Sequence, residues 1–240
     1  MLHGDLGQFK EQAAQAQLAT QNSKLLKASL NYGPIMARTG SMVAYQGEAR
    51  FTHAGSGGVA KWMKKKVSGE GMPLMSIEGT GEVFLAFEAQ DVHVFYLEND
   101  FITANGLNLL AFSASLEWDI VSERSAGGML AGGMWNMALK GTGYVAAITK
   151  GTPVLLDVTE APTYADPQAS VMWSSGVQTS IKTDIDLKTL FGRGSGESFQ
   201  IAFSGQGWVM IQPAESQPPT AQQPTTGGQG LMGSMLGGIK

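Results

Sequence analysis

The chain has 240 residues, no cysteine and a net charge of −4 from 16 basic and 20 acidic side chains. Those figures exclude disulfides, thiolate metal centres and cysteine nucleophiles, and they remove the overall positive field of a nonspecific nucleic-acid binder. Charged residues make up only 15% of the chain while glycine reaches 32 residues, a balance that points to a turn-rich β protein whose surface is largely covered, by copies of itself among other means.

Residues 1–23 read as an N-terminal extension. They lack a basic start and a continuous apolar block, so no secretory signal is legible, and FKEQAAQAQLA is compatible with a short helix whose apolar face is mostly alanine. No apolar run reaches the roughly 18 residues of a spanning helix, which makes a soluble, cytoplasmic chain the expectation.

From Lys24 to Pro213 the sequence repeats itself three times, over about 24–90, 91–151 and 152–213. Each copy opens on an apolar strand: KLLKASL from Lys24, VHVFYL from Val92 and PVLLDV from Pro153. An alanine follows, eight positions before an aromatic residue: Ala37 and Tyr45, Ala104 and Phe112, Ala165 and Trp173. Each copy closes on a strand, a Gly-x-Gly and a second strand, with first glycines Gly79, Gly141 and Gly205 spaced 62 and 64 positions apart. Alternation predicts that Val43, Tyr45, Gly47, Ala49 and Phe51 share one strand face. The same holds for Phe112, Ala114, Leu116, Trp118 and Ile120, with Ser113, Ser115, Glu117 and Asp119 on the wet side, and more weakly for Trp173 to Thr183 through every second residue. The Gly-x-Gly pairs read as places where two strands tighten or bend, since no helical pattern or third glycine follows to make a phosphate loop. Between the middle strands, GGVAKWMKKKVSG and DLKTLFGRG have brief helical spacing, and AGGMLAGGMWN takes their place in the second copy. A unit of about 60 residues is marginal alone, so the copies are expected to share a core within one domain. Residues 214–240, rich in Gln, Pro, Thr and Gly, read as a flexible tail whose last segment, GLMGSMLGGIK, carries a short apolar stripe that a protein partner could take.

No catalytic constellation is legible. His3, His53 and His93 are scattered and form no HxH or HExxH spacing, so neither a metal site nor a cofactor is expected. Gly194 to Phe199 does not match a nucleophile elbow, and Asp184 and Asp186 share a strand face near a turn, where they are expected to be solvated. One charge cluster, Lys61, Lys64, Lys65 and Lys66 beside Trp62 and Met63, is a candidate for binding an anionic membrane surface or nucleic acid. The competing and favoured reading is the wet face of a short helix, because the other two copies carry no such run.

The runs TGSMVAYQGEARF, GEGMPLMSIEGTGEVFLA, AGGMWNMALKGTGYVAA and GRGSGESFQIAFSGQGWVMIQP together resemble the altered inheritance of mitochondria protein 24 family, over about Gln21 to Glu215. The resemblance implies a fold similar to that of the tryptophan RNA-binding attenuation protein: an all-β sandwich, here with three internal repeats around a pseudo-threefold axis. It also implies trimers of the chain in bacterial members and, in eukaryotic ones, a link with mitochondrial inner-membrane organisation rather than a defined reaction. No catalytic residue carries over. RNA binding does not carry over either, because no basic triplet recurs through the copies. The expectation is therefore a non-enzymatic, self-associating scaffold or binding protein, a homotrimer by preference. An alternative is a small-ligand protein or enzyme with a cleft between repeats, using His53 or His93.

Overall fold

A computed structural model describes residues 4–53, 74–122, 135–182 and 200–214 of the chain. Its regular structure is antiparallel β-sheet with three single-turn 3-10 segments, and no α-helix occurs among the described residues. The strands are β1 Leu18–Asn22, β2 Leu25–Ser29, β3 Ile35–Arg38, β4 Met42–His53, β5 Leu74–Leu85, β6 Asp91–Asn105, β7 Leu109–Ser113, β8 Glu117–Ser122, β9 Trp135–Thr149, β10 Val154–Asp157, β11 Thr163–Ala165, β12 Ser170–Ser174, β13 Val177–Lys182, β14 Gln200–Gly205 and β15 Trp208–Ile211. Twelve of them form one sheet and β11, β14 and β13 form a second.

The pairings fall into one pattern repeated along the chain. In each segment the last strand lies between the first and the middle ones: β5 between β2/β3 and β4, β9 between β6 and β7/β8, and β14/β15 between β10/β11 and β12/β13. Register is equivalent too. Ala37 faces Met75, Ala104 faces Met137 and Ala165 faces Ile201, in each case four residues before the first glycine of the pair. The alanines that sequence spacing singled out are therefore register markers of the same ladder.

The glycine pairs mark where the middle strand presses onto the last one. Gly79, Gly141 and Gly205 have φ of 133, 121 and 107°, a region that an L side chain enters only at a cost. A Cβ on Gly81 would strike the Gln46 carbonyl oxygen, one on Gly143 would lie 2.8 Å from Ser113 Cβ, and one on Gly207 would strike Ser174 Oγ. Gln46, Ser113 and Ser174 each follow the landmark aromatic, so one close approach recurs in all three segments. In two of them it is fixed by the same hydrogen bond: Tyr144 N donates to Ser113 Oγ at 2.8 Å, and Trp208 N to Ser174 Oγ at 3.0 Å.

Successive segments are joined by strand pairing. β3 lies against β7 with Ala37 opposite Ala111 and Met36 opposite Phe112. β6 lies against β12 in the equivalent register, Ala104 opposite Met172 and Thr103 opposite Trp173. These seams create the core. One apolar cluster mixes Ile35, Ile77 and Leu85 with Leu110, Ala146 and Ile148; a second mixes Ile102, Leu109, Phe112 and Leu139 with Val171, Met172 and Met210. The third, smaller cluster, around Trp173, Phe203 and Val209, draws only on the last segment. Buried polar groups staple the seams. Gln17 Nε2 donates to the Gly33 and Pro34 carbonyls at 3.0 and 3.1 Å while its Oε1 accepts from Ser113 Oγ at 2.5 Å. Gln212 Oε1 accepts from Asn108 Nδ2 at 3.2 Å and from Lys150 N at 3.0 Å, and its Nε2 donates to Gln168 O.

Three sequence expectations need correction. The stretch from Phe9 to Ala19 is not a helix: a 3-10 turn covers Leu6–Phe9, and β1 then pairs with β2, burying Leu18, so part of the N-terminal extension is built into the sheet. Ser113 is not on a wet face; it is buried, because the chain turns between β7 and β8 (Leu116 N to Ser113 O, 3.1 Å) to bring Leu116 down over Gly141 and Gly143. From Leu116 onward the alternation holds, with Glu117 and Asp119 exposed. Val43 and Tyr45 are not on a covered face either: they are exposed, for a reason given below. The connections GGVAKWMKKKVSG and DLKTLFGRG, the glycine-rich run AGGMLAGGMWN up to residue 134, and the tail from Glu215 lie outside the described residues, whereas Trp135 and Asn136 open β9.

The strand crossing yields a direct test. Gly79→Ala forces a Cβ onto the Glu48 carbonyl in the left-handed region, whereas Gly40→Ala, at φ 84°, meets no atom within 4 Å. Urea denaturation is expected to show a loss of about 1–2 kcal/mol for Gly40→Ala and about 3 kcal/mol or more for Gly79→Ala. Equal losses would mean that the close approach is not where the structure puts it.

Candidate functional site

The first segment differs from the other two in its middle strand. Where the second and third break into β7/β8 and β12/β13, β4 runs on for twelve residues, because Gly47, at φ 100°, passes directly over Gly81 and keeps the ladder going. The resulting β4–β5 ribbon carries an open groove of about 690 Å³, lined by Tyr45, Gly47, Glu48, Ala49, Arg50, Glu78, Gly79 and Thr80. Beside it Tyr45 stacks edge-on against Phe51, with ring centroids 5.5 Å apart. Arg50 Nη1 lies 3.4 Å from Glu78 Oε1, and both side chains are largely in water, so the pair contributes little to stability.

The edge of β4 away from β5 has no strand partner among the described residues. The residues equivalent to Tyr45 show what this means. Phe112 and Trp173, on strands paired with the preceding segment, are 0% and 5% exposed, whereas Tyr45 is 48% exposed and its neighbours Met42 and Val43 are 40% and 62% exposed. Met42 to Gly47 contains no charged residue and no proline, the devices by which edge strands are ordinarily protected. The ribbon's chemistry is thus that of a sticky backbone edge beside an apolar strip.

The sequence candidates are distributed differently. Lys61, Lys64, Lys65 and Lys66, His3, Asp184 and Asp186, and the GSGESF run lie outside the described residues. His53 ends β4 opposite Met75 and is exposed; His93 sits on β6 opposite Ala147, so the two histidines belong to different ladders. Among the described residues no group of three or more His, Asp or Glu side chains is placed to hold a metal. Arg38, at the first seam, is committed to packing: its Nη1 donates to Leu107 O at 3.0 Å and its guanidinium carbon lies 3.9 Å from the Phe87 ring centroid. Burial lowers its pKa, with nearby Glu88 acting in the opposite direction. Sequence reasoning passed over Gln17, Asn108 and Gln212, which have no periodic signature. It found Tyr45 as a landmark, but exposure depends on which strand lies opposite and leaves no mark on the spacing.

His93 and Asp91, near the first segment boundary, have their pKa values moved by their surroundings. The Thr149 hydroxyl donates to Gly151 O at 2.7 Å, so its oxygen accepts from His93 Nε2 at 2.8 Å. Burial lowers the His93 pKa below 6.5; Asp91 opposes this and Lys24 adds to it. Lys24 Nζ donates to Asp91 Oδ1 at 2.7 Å, and that bond, more than any other influence, holds the Asp91 carboxyl below its usual range. Both folded-state values are depressed, so each group's contribution is complete above its unfolded pKa and is lost as pH falls through the folded value. Stability is expected to decline from pH 7 towards 5 through His93 and again below about 4 through Asp91. In denaturation at stepped pH, His93→Gln should flatten the upper decline and leave the lower one; an unchanged upper slope would contradict the assignment.

Two comparisons bear on this architecture. A crystal structure of protein SPYM3_0169 from Streptococcus pyogenes, a bacterial member of the family named next, superposes with a TM-score of 0.68 at 20% identity, over 84% of this chain and 94% of that one. At that identity the likeness speaks for the fold alone. No curated protein matches the chain. The family model described as mitochondrial biogenesis AIM24 matches residues 16–214, from just before β1 to just after β15. Because that match takes in β1 and every later strand, the chain belongs to the mitochondrial biogenesis AIM24 family.

Proposed function

We propose that this chain is a non-enzymatic, self-associating scaffold or binding protein acting in the cytoplasm. Its three segments share one ladder pattern, as in a sandwich like that of the tryptophan RNA-binding attenuation protein, and a homotrimer is the preferred assembly. The observation that carries the reading is the bare outer edge of β4, where Met42, Val43 and Tyr45 stand in water although the equivalent strands β7 and β12 are covered. Support comes from the common register of the three ladders and from the way polar side chains are used. Gln17, Asn108, Ser113 and Gln212 complete seams, and Arg38 braces the first of them. Membrane association through a spanning helix has no support in the described residues, where no helix is long and apolar enough to cross.

Light scattering in dilute buffer separates the possibilities. The scaffold reading expects a species at a multiple of the 25.3 kDa chain mass, three-fold by preference. A particle at 25.3 kDa over a wide concentration range contradicts it.

A further inference from the structure

The segment-to-segment seam obeys one rule in this chain. The first strand of a segment pairs with the start of the middle strand of the next, over three residue pairs, with the marker alanine opposite the residue before the landmark aromatic. β3 on β7 and β6 on β12 satisfy it. The remaining pair of edges, β11 from the third segment and the start of β4 from the first, is open on both sides among the described residues. Tyr164 on β11 is 54% exposed and Tyr45 on β4 is 48% exposed. The strand lengths fit: β11 is three residues long, bounded by Pro162 and Asp166-Pro167, which matches the three-pair ladder of each completed seam. The cores fit as well. The first and second apolar clusters each draw on two or more segments, and the third draws on one, so it lacks the share that β4 would bring.

We infer that β11 of one chain pairs antiparallel with the Met42–Gln46 end of β4 of a second copy, with Ala165 opposite Ala44 and Tyr164 opposite Tyr45. This inference rests on the self-association proposed above and names its surface. The occupant is a second copy because in the folded chain, with both other seams formed, the chain's own β11 leaves this edge unpaired. The two edges are different surfaces, so the contact is head-to-tail: it leaves one free edge at each end of a growing assembly until a ring closes. Backbone hydrogen bonds supply the attraction, and the apolar Met42-Val43 strip with the two tyrosines supplies the fit, as in other strand additions to an open sheet edge.

The absence of cysteine permits a clean test. Ala44→Cys and Ala165→Cys are made as separate single variants, checked for an unchanged melting temperature, mixed in equal amounts and treated with an oxidant or with a short thiol-to-thiol linker. Directly opposed residues of an antiparallel pair lie within disulfide or short-linker reach. The mixture should give a covalent dimer several-fold in excess of either variant alone, and the chain carrying both substitutions should give a ladder of covalent multimers. A double variant that closes only within its own chain, seen as a faster-migrating monomer, overturns the inference, and so does absence of any cross-link. Light scattering on the unmodified chain distinguishes the failures. An oligomer whose Ala44→Cys and Ala165→Cys variants do not cross-link leaves self-association standing and removes this edge, whereas a monomer removes both. Tyr45→Lys, which places a charge in the seam, should lower the oligomer mass without lowering the monomer's melting temperature.

Discussion

The fold depends on one interaction: the pairing of each segment's first strand with the middle strand of its successor. A segment of this kind has three strand positions, first, middle and last, too few to bury both of its faces, and its last position is spent within the segment. The seam therefore does two things. It satisfies the backbone groups of an otherwise bare edge, and it closes an apolar cluster to which neither segment has enough side chains alone. Phe112 beside β3 and Trp173 beside β6 show the result, each removed almost wholly from water. Burying such an aromatic contributes about 1.5–3 kcal/mol before packing is counted. Tyr45, at the same place in the first segment, has not gained that contribution. The exposed strip on β4 is thus what one missing seam looks like.

This constraint also sets where several buried polar side chains of the described residues are used. Gln17, Asn108, Ser113 and Gln212 sit at seams, where two segments present unpaired backbone to one another and a side chain supplies the partner. Gln17 does this at the first seam and Gln212 at the second, one drawn from before the repeats and the other from their end. A side chain locked between carbonyls in this way is committed to structure. The groove on the β4–β5 ribbon is lined in part by the solvated Arg50–Glu78 pair.

Much of the internal order was legible in the sequence because it is local. Glycine leaves a readable mark wherever a Cβ would collide with a crossing strand, as at Gly79, Gly81 and Gly207. The alanine-to-aromatic spacing is readable because a ladder has a fixed register: Ala37 must face Met75 if Gly79 is to sit at the crossing. What was not legible depends on groups distant in sequence. Gln17 has no signal in its own neighbourhood, since its role is set by Gly33, Pro34 and Ser113. Ser113 alternates with its neighbours like a wet residue, yet it is buried because Leu116 needs the turn that brings it over Gly143. Tyr45 reads like Phe112 and Trp173 and differs from them only through the strand that is missing beside it.

The claim that the third seam forms between chains is tested most directly by hydrogen exchange at those amides of Val43–Gln46 and Thr163–Ala165 that point away from β5 and β14, followed as a function of chain concentration. Protection at both stretches should rise together as concentration increases, while amides in the completed seams, such as those of Ala111 and Met172, stay protected throughout. Fast exchange of the outward amides of Val43–Gln46 at every concentration, or protection of those amides that persists unchanged in a dilute monomer, would contradict the account.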